Sequence, residues 1–476
     1  MEYNEAVRYL LTLGRELAAP SHARAAKFDL ANIRALAQRM GEPQKKFASV
    51  HIAGTNGKGS TAAMAERILR CAGFKTGLYT SPHLERINER IRVNGAEIGD
   101  AEFAAAFTRL RGLIEAMLST AELAAHPTYF ECMTAMALDV FAREGVDFAV
   151  LEVGMGGRLD STNIVTPEVA VITQIAFDHE SFLGHSIAEI AGEKAGIIKA
   201  GVPVASAAEN PEARTVIRRR AEELGAPLVE IDEVYRVKEI GALDGFYSAV
   251  VTDVGANVEV SADVEEVKSA QPGVAVPRGA RRVELKPGLA GRYQVRNAVT
   301  ALAVARVLSA RGFKITDAHI VEGIARVQWP GRLEEIAIQP TVFLDGTHNA
   351  AGARELAAFW DEHLSGRRIH LVYGSVRDKS VDEIAGLLFP RAARVTVTAP
   401  GQPRALSADA LAEMTRHLAP QMDVVADASE AVARALENAA REDVVFVTGS
   451  LYLVGEISRW WKSGAAHKRG AAKQPA

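Results

Sequence analysis

His51-Ile-Ala-Gly-Thr-Asn-Gly-Lys-Gly-Ser-Thr61 decides how this chain of 476 residues is read. Residues 49–53 form an apolar run of strand type, and residues 61–71 carry a helical pattern that ends at Gly73. Between them lie Gly54, Thr55, Asn56, Gly57, Lys58, Gly59 and Ser60. Glycines let backbone N–H groups converge on phosphate oxygens, and a helix N-terminus adds positive potential. Lys58 supplies a point charge for the outer phosphates. Ser60 or Thr61 supplies a hydroxyl for metal or phosphate. The spelling departs from G-x-x-x-x-G-K-[ST]: Ile52 stands where the first glycine belongs, and Gly59 where the hydroxyl belongs. A plain glycine-rich turn explains the glycines, and Thr55 and Asn56 as turn residues. It does not explain strand, glycines, lysine and helix together, which point to nucleotide binding. The loop alone does not choose a reaction, because kinases, GTPases and ligases share it. No guanine-reading Asn-Lys-x-Asp is present.

Outward from the loop, short apolar runs alternate with helical patterns. Residues 76–79, 148–153 and 169–175 read as strands, and 101–118 and 130–143 as helices. Strands apolar on both faces and separated by helices predict a parallel sheet covered on both sides. From about 231 to 285 Val, Thr and Gly alternate, notably at 248–252 and 258–260, predicting a small antiparallel β insert; residues 291–308 return to helix. Val327-Gln-Trp-Pro-Gly331 reads as a boundary, since proline removes a donor and disfavours helix before it. Beyond it, strands are predicted at 342–344, 369–372, 395–398, 423–425 and 444–447, with helices at 350–363 and 430–440. The expected fold is α/β. A P-loop ATPase domain (1–328) carries a parallel sheet and the β insert, a smaller Rossmann-like α/β domain follows (329–463), and a disordered tail closes the chain (464–476).

Composition narrows the class. Hydrophobic residues make up 48% and charged residues 24%, which excludes wholesale disorder. The charge of −4, from 55 basic and 59 acidic residues, is too balanced for a general nucleic-acid or membrane binder. Cys71 and Cys132 cannot form a disulfide framework and read as helix-borne packing residues of a reducing compartment. The start MEYNEAVRYL has no basic-then-apolar leader pattern, and no apolar run reaches the ~18 residues of a membrane span. The expectation is a cytoplasmic monomer whose partners are small molecules.

Gly54-Thr-Asn-Gly-Lys-Gly-Ser60 resembles the signature of the folylpolyglutamate synthase/dihydrofolate synthase family, within the Mur-ligase group. Tyr79-Thr-Ser-Pro-His-Leu84, Leu151-Glu-Val-Gly-Met-Gly-Gly-Arg-Leu-Asp160, Asp178-His179, Gly192-Glu-Lys-Ala-Gly-Ile-Ile-Lys199, Trp329-Pro-Gly-Arg-Leu-Glu334, Asp345-Gly-Thr-His-Asn349 and Thr448-Gly-Ser-Leu-Tyr452 agree in order and spacing. The resemblance runs from about Phe28 to Trp461. It implies an ATP- and Mg2+-dependent ligase that activates a folate-type carboxylate as an acyl phosphate, which the amine of L-glutamate then attacks. The acid is dihydropteroate, the γ-carboxyl of a folate, or both. By resemblance Ser81 and Glu152 ligate one Mg2+ and His179 a second. Lys194 matches a lysine that is carbamylated in the family. Asn297, Arg332 and Asp345 contact ATP, and His348 and Ser450 lie on the glutamate or product side. Taken singly, Ser81 reads as a helix cap, Glu152 and Asp345 as turn carboxylates, His179 as a satisfied core histidine, Lys194 as a solvated helix lysine and Arg332 as a surface ion pair. Ser21-His22 and Lys27-Phe28 border the implied pterin pocket. Two other readings remain: a Mur-type ligase acting on a UDP-muramyl or other organic acid, and a nucleotide-dependent binding protein that performs no ligation.

Overall fold

A computed structural model describes residues 1–14, 29–254, 281–377 and 379–464. Residues 21–22, 27–28, 258–260 and the expected tail from 465 onward lie outside the described residues.

The first sheet has eight strands: β1 (Ala48–Ala53), β2 (Thr76–Tyr79), β3 (Ile91–Val93), β4 (Ala96–Glu97), β5 (Phe148–Glu152), β6 (Val169–Ile172), β7 (Val204–Ser206) and β8 (Leu228–Glu230). Their order is β4-β3-β2-β5-β1-β6-β7-β8. Six run parallel, as expected, while β3 and β4 add an antiparallel edge. That hairpin turns at Asn94-Gly95, both at positive φ (50° and 84°), a favoured two-residue turn. β1 is interior, with β5 on one side and β6 on the other, and Ile52 stands opposite Glu152. Chain direction across the sheet switches beside β1, and ligands of open parallel sheets lie outside the carboxyl ends of strands at such points. The phosphate loop and Glu152 therefore emerge side by side.

The helix Lys58–Cys71 covers one face, burying Ala62, Met64, Ile68 and Leu69 against Val50, Val150 and the helix Tyr293–Ala310. The insert is a three-stranded antiparallel sheet of β9 (Tyr235–Leu243), β10 (Phe246–Asp253) and β11 (Arg282–Leu285), in the order β11-β10-β9. Its buried face (Tyr247, Ala249, Val251) joins the same core.

The second lobe is built on β12 (Glu334–Ile338), β13 (Thr341–Leu344), β14 (Ile369–Tyr373), β15 (Arg394–Val397), β16 (Met422–Val424) and β17 (Val444–Thr448). The order is β12-β13-β17-β14-β15-β16, parallel except for the edge strand β12. Helices on both faces bury Phe446, Trp360 and Leu388 on one side and Val445, Val432 and Ile457 on the other. Cys71 and Cys132 are free thiols on helices. Among the described residues no helix is long and apolar enough to cross a membrane.

Candidate active site

A cleft of about 630 Å3 opens between the lobes at the carboxyl ends of both sheets. Its floor is the phosphate loop. The helix begins at Lys58 rather than at the expected residue 61, and Gly57 precedes it at φ 83°, where a side chain is strained. A Cβ there would also stand 2.3 Å from Asn297 Oδ1, so Asn297 is pressed onto the loop. The first N–H groups of this helix have no carbonyl one turn earlier and face the loop. Lys58 Nζ donates to the carbonyls of Gly54 (3.0 Å) and Thr55 (3.1 Å). Burial pushes its pKa down, while Glu152 and Asp178 pull it back up. Ser60 lines the cleft, and Thr61 is fully buried. The odd spelling at Gly59 has a steric cause: a Cβ there would meet the Trp329 indole nitrogen at 3.0 Å, so the ring from the lobe boundary covers the place of the usual hydroxyl.

Glu152 and Ser81 form one wall. Glu152 is 5% exposed, and one carboxylate oxygen accepts the Ser81 N–H at 3.1 Å. Burial raises its pKa, opposed first by Lys58 and then by that N–H. A buried carboxylate with a single backbone donor has lone pairs left for a cation. Among the described residues no three His, Cys, Asp or Glu side chains form a metal cage. His179 also lines the cleft, at φ 51° before the helical turn Glu180–Leu183.

Lys194 is not a solvated helix lysine. It is 3% exposed, and its Nζ donates to the Gly54 carbonyl at 2.9 Å, the same oxygen that Lys58 binds. Burial, then the Lys58 charge, pull its pKa down to about 7.

From the second lobe, Arg332 lines the cleft half-buried and makes no hydrogen bond or ion pair with any described residue. A guanidinium of that kind is poised for an incoming anion. Asp345 holds its loop: one oxygen accepts Leu333 N–H and the other Thr347 N–H, both at 2.9 Å. Leu333 has φ 47°, rare for a leucine, and this carboxylate helps fix it there. Asp345 thus acts as the turn carboxylate while also lining the cleft. His348 lines it too, its Nδ1 2.8 Å from the Gly346 carbonyl, and burial, then Lys379, lower its pKa to about 4. Ser450 is the exception. Its hydroxyl accepts Tyr452 N–H and caps the helix Leu451–Lys462, and it does not line the cleft. The cap uses one lone pair of the hydroxyl and leaves its O–H as a donor.

The lobes are joined by residues of the motif segments together with Lys379, which the sequence did not single out. Asp178 pairs with Lys379 and stands 3.7 Å from His348 Nε2 and 3.4 Å from Asn349 Nδ2. Burial opposes its ionisation, yet Lys379, His179 and His348 hold its carboxyl well below the usual range. Asn56 of the phosphate loop accepts from Asn349 Nδ2 at 2.8 Å. Replacing Arg332 with methionine is expected to raise the KM for ATP and lower kcat, by about 10²-fold in kcat/KM. Its melting temperature should stay at the wild-type value, as the guanidinium bonds to no described residue.

A two-lobed α/β protein with a phosphate loop facing an unpaired arginine across the cleft has the architecture of a Mur-type ligase. Residues 52–305 match the Mur ligase middle domain, and residues 331–451 the Mur ligase glutamate ligase domain. Dihydrofolate synthase/folylpolyglutamate synthase of Bacillus subtilis is 34% identical over 432 residues, covering 90% of this chain and 94% of the relative. The Escherichia coli protein of the same name is 34% identical, covering 92% of each. The crystal structure of Mycobacterium tuberculosis folylpolyglutamate synthase complexed with ADP and AMPPCP superposes with a TM-score of 0.82 at 31% identity, over 96% of this chain and 99% of that one. E. coli FolC in complex with DHPP and ADP gives 0.79 at 29% identity, over 96% and 98%. The chain belongs to the folylpolyglutamate synthase/dihydrofolate synthase family.

Proposed function

We propose that the chain is an ATP- and Mg2+-dependent ligase that joins L-glutamate to dihydropteroate, to the γ-carboxyl of folates, or to both. The observation that carries this is the convergence of Lys58, Ser81, Glu152 and Lys194 from one lobe and Arg332 from the other on a single cleft. Residues 1–328 serve as the ATP-binding domain and 329–463 as the glutamate-ligase domain.

A carboxylate is a poor electrophile, because an amine attacking it would have to expel oxide. ATP supplies a better leaving group: a carboxylate oxygen bonds to the γ-phosphorus, the bond from that phosphorus to the bridging oxygen breaks, and ADP leaves. The amine nitrogen of glutamate then attacks the acyl carbon, the carbon–oxygen bond to phosphate breaks, and the amine proton passes to solvent or phosphate. Two anions meet in the first step, so positive charge must be in place beforehand. Lys58 and the helix N-terminus hold the phosphates, with Gly54, Thr55, Asn56, Gly57, Gly59 and Ser60 shaping the loop. Asn297 abuts the nucleotide, and Asp345 sets the loop from which Arg332 reaches a phosphate oxygen. Ser81 and Glu152 would hold one Mg2+ and His179 a second, and the metal would offset charge on the phosphoryl oxygens. His348 faces the amino-acid side. Carbamylated Lys194 carries a negative charge beside Lys58.

The test is an assay of the purified protein with ATP, Mg2+ and L-glutamate plus either dihydropteroate or tetrahydrofolate. Phosphate release should require acid and amino acid together, with the amide product seen by mass spectrometry. Turnover with UDP-linked muramyl acids instead would move the substrate to the muramyl class. Nucleotide binding without release under any combination would leave only a binding protein.

A further inference from the structure

The loop that carries Ser81 belongs to the first lobe but is held by the second. Within the loop, Thr80 N–H donates to the Arg90 carbonyl at 3.1 Å. Both oxygens of Glu89 accept backbone N–H groups, from Leu84 on one and from Glu85 and Arg86 on the other, each at 2.7 Å. Arg90 Nε donates to His83 Nδ1 at 2.9 Å. Residues 80–90 are therefore tied into one piece, so a displacement at Leu84 is carried to Ser81.

The outer side of that piece is seated on the helix Leu451–Lys462. Glu85 Oε1 accepts from Ser458 Oγ at 2.6 Å and pairs with Lys462 Nζ, and the Glu85 carbonyl accepts from the Arg459 guanidinium. The Glu85 side chain is 16% exposed while Lys462 is 59% exposed, so the carboxylate is largely covered and its cationic partner reaches solvent. At Gly455 helix backbone meets loop backbone: a Cβ there would lie 1.8 Å from the Leu84 carbonyl oxygen. Only a residue without a side chain permits that approach.

We propose that Glu85 and Gly455 are positioning residues for the ligase reaction, through which the last described helix of the second lobe sets Ser81 against Glu152. The inference rests on the reading of Ser81 and Glu152 as Mg2+ ligands. Because the seat lies in the second lobe, the pair is aligned for metal only with the lobes together, whereas the phosphate loop belongs entirely to the first lobe.

The test compares binding of a β,γ-methylene ATP analogue with and without Mg2+, alongside turnover, in wild type and Gly455→Ala. A methyl on Gly455 forces helix or loop aside by roughly 1 Å, a misplacement that costs about 10²-fold in rate. The expected result is that fall in kcat, metal-free analogue binding within about twofold of wild type, and loss of the tightening that Mg2+ gives the wild type. Glu85→Gln, which keeps the shape, should move the same readings in the same direction. Combined with Lys462→Met it should add little to either single change, as expected for two ends of one contact. If Gly455→Ala fails to fold, the Glu85→Gln and Lys462→Met cycle decides. A retained Mg2+ increment in the folded variants, additive effects in the cycle, or equal loss of metal-free binding would overturn the assignment. A wild type with no Mg2+ increment would instead strike the metal reading of Ser81 and Glu152, and the inference with it.

Discussion

Replacing Lys58 with methionine should reduce ATP-dependent ligation by about 10³-fold while the protein still melts cooperatively. The lysine opens the phosphate-loop helix, with its ammonium on the Gly54 and Thr55 carbonyls. In the proposed reaction its charge would act on the γ-phosphoryl group, where negative charge builds as the acid approaches. Methionine keeps the length and bulk of the stem but supplies neither charge nor donor. The structural cost is small by comparison. The Gly54 carbonyl keeps Lys194 as a donor, the Thr55 carbonyl loses its donor at about 1–3 kcal/mol, and removal of a buried ammonium offsets part of that. Phosphate release with saturating acid and glutamate measures the first effect, and a thermal melt the second. Turnover near wild type would remove the phosphate loop from the mechanism.

The part of the site that sequence exposed is the part written in contiguous words. The phosphate loop is legible because strand, glycines, lysine and helix are consecutive, and Glu152 because it ends a long apolar run. The longer strands of both sheets were legible for the same reason. β7 and β8 have three residues each, too few to display a period, and β12 is a half-exposed edge strand with charged residues at its start. The hairpin β3–β4 carried a usable signal in Asn94-Gly95, a turn pair between short apolar segments. At the Asp178 junction Asp178 and Asn349 lie in motif segments, but nothing in the sequence pairs them, and Lys379, 201 residues away, reads alone as a polar loop residue. Ser450 adds a local role that its motif does not announce, as the cap of the helix Leu451–Lys462. Lys194 is the instructive middle case. Ile187, Ile190, Ala191, Lys194 and Ala195 are the buried positions of its helix, so the lysine sits on the apolar stripe. A charged residue at a core position is the informative exception in such a pattern.

That placement gives the second large effect: Lys194→Met should cut turnover by about 10²-fold, yet stabilise the fold at pH 6. With a pKa of about 7, half of the amine is neutral at neutral pH, about 10³-fold more than for an ordinary lysine. Only the neutral amine adds CO2, forming R–NH–COO− and releasing a proton. Carbamylation of Lys194, as proposed, would turn a cation that repels Lys58 into an anion that attracts it. Below pH 7 the neutral fraction falls tenfold per unit, so activity that depends on the carbamate should fall with it. It should also drop in buffer stripped of CO2 and return on adding bicarbonate, and ¹³C-labelled bicarbonate should give a carbamate resonance that Lys194→Met lacks. The stability sign follows from the same shift. The unfolded chain holds this proton up to about pH 10.5 and the folded chain only to about 7. Between those values the unfolded state binds more protons, so wild-type stability gains from this group as pH rises; below pH 7 the full penalty of burying the ammonium remains. Methionine abolishes the penalty, so its melting temperature should exceed that of the wild type at pH 6, with the gap closing toward pH 10. A variant less stable than wild type at pH 6 would show that Lys194 is held there as a satisfied cation, and the case for its carbamylation would fall with that result.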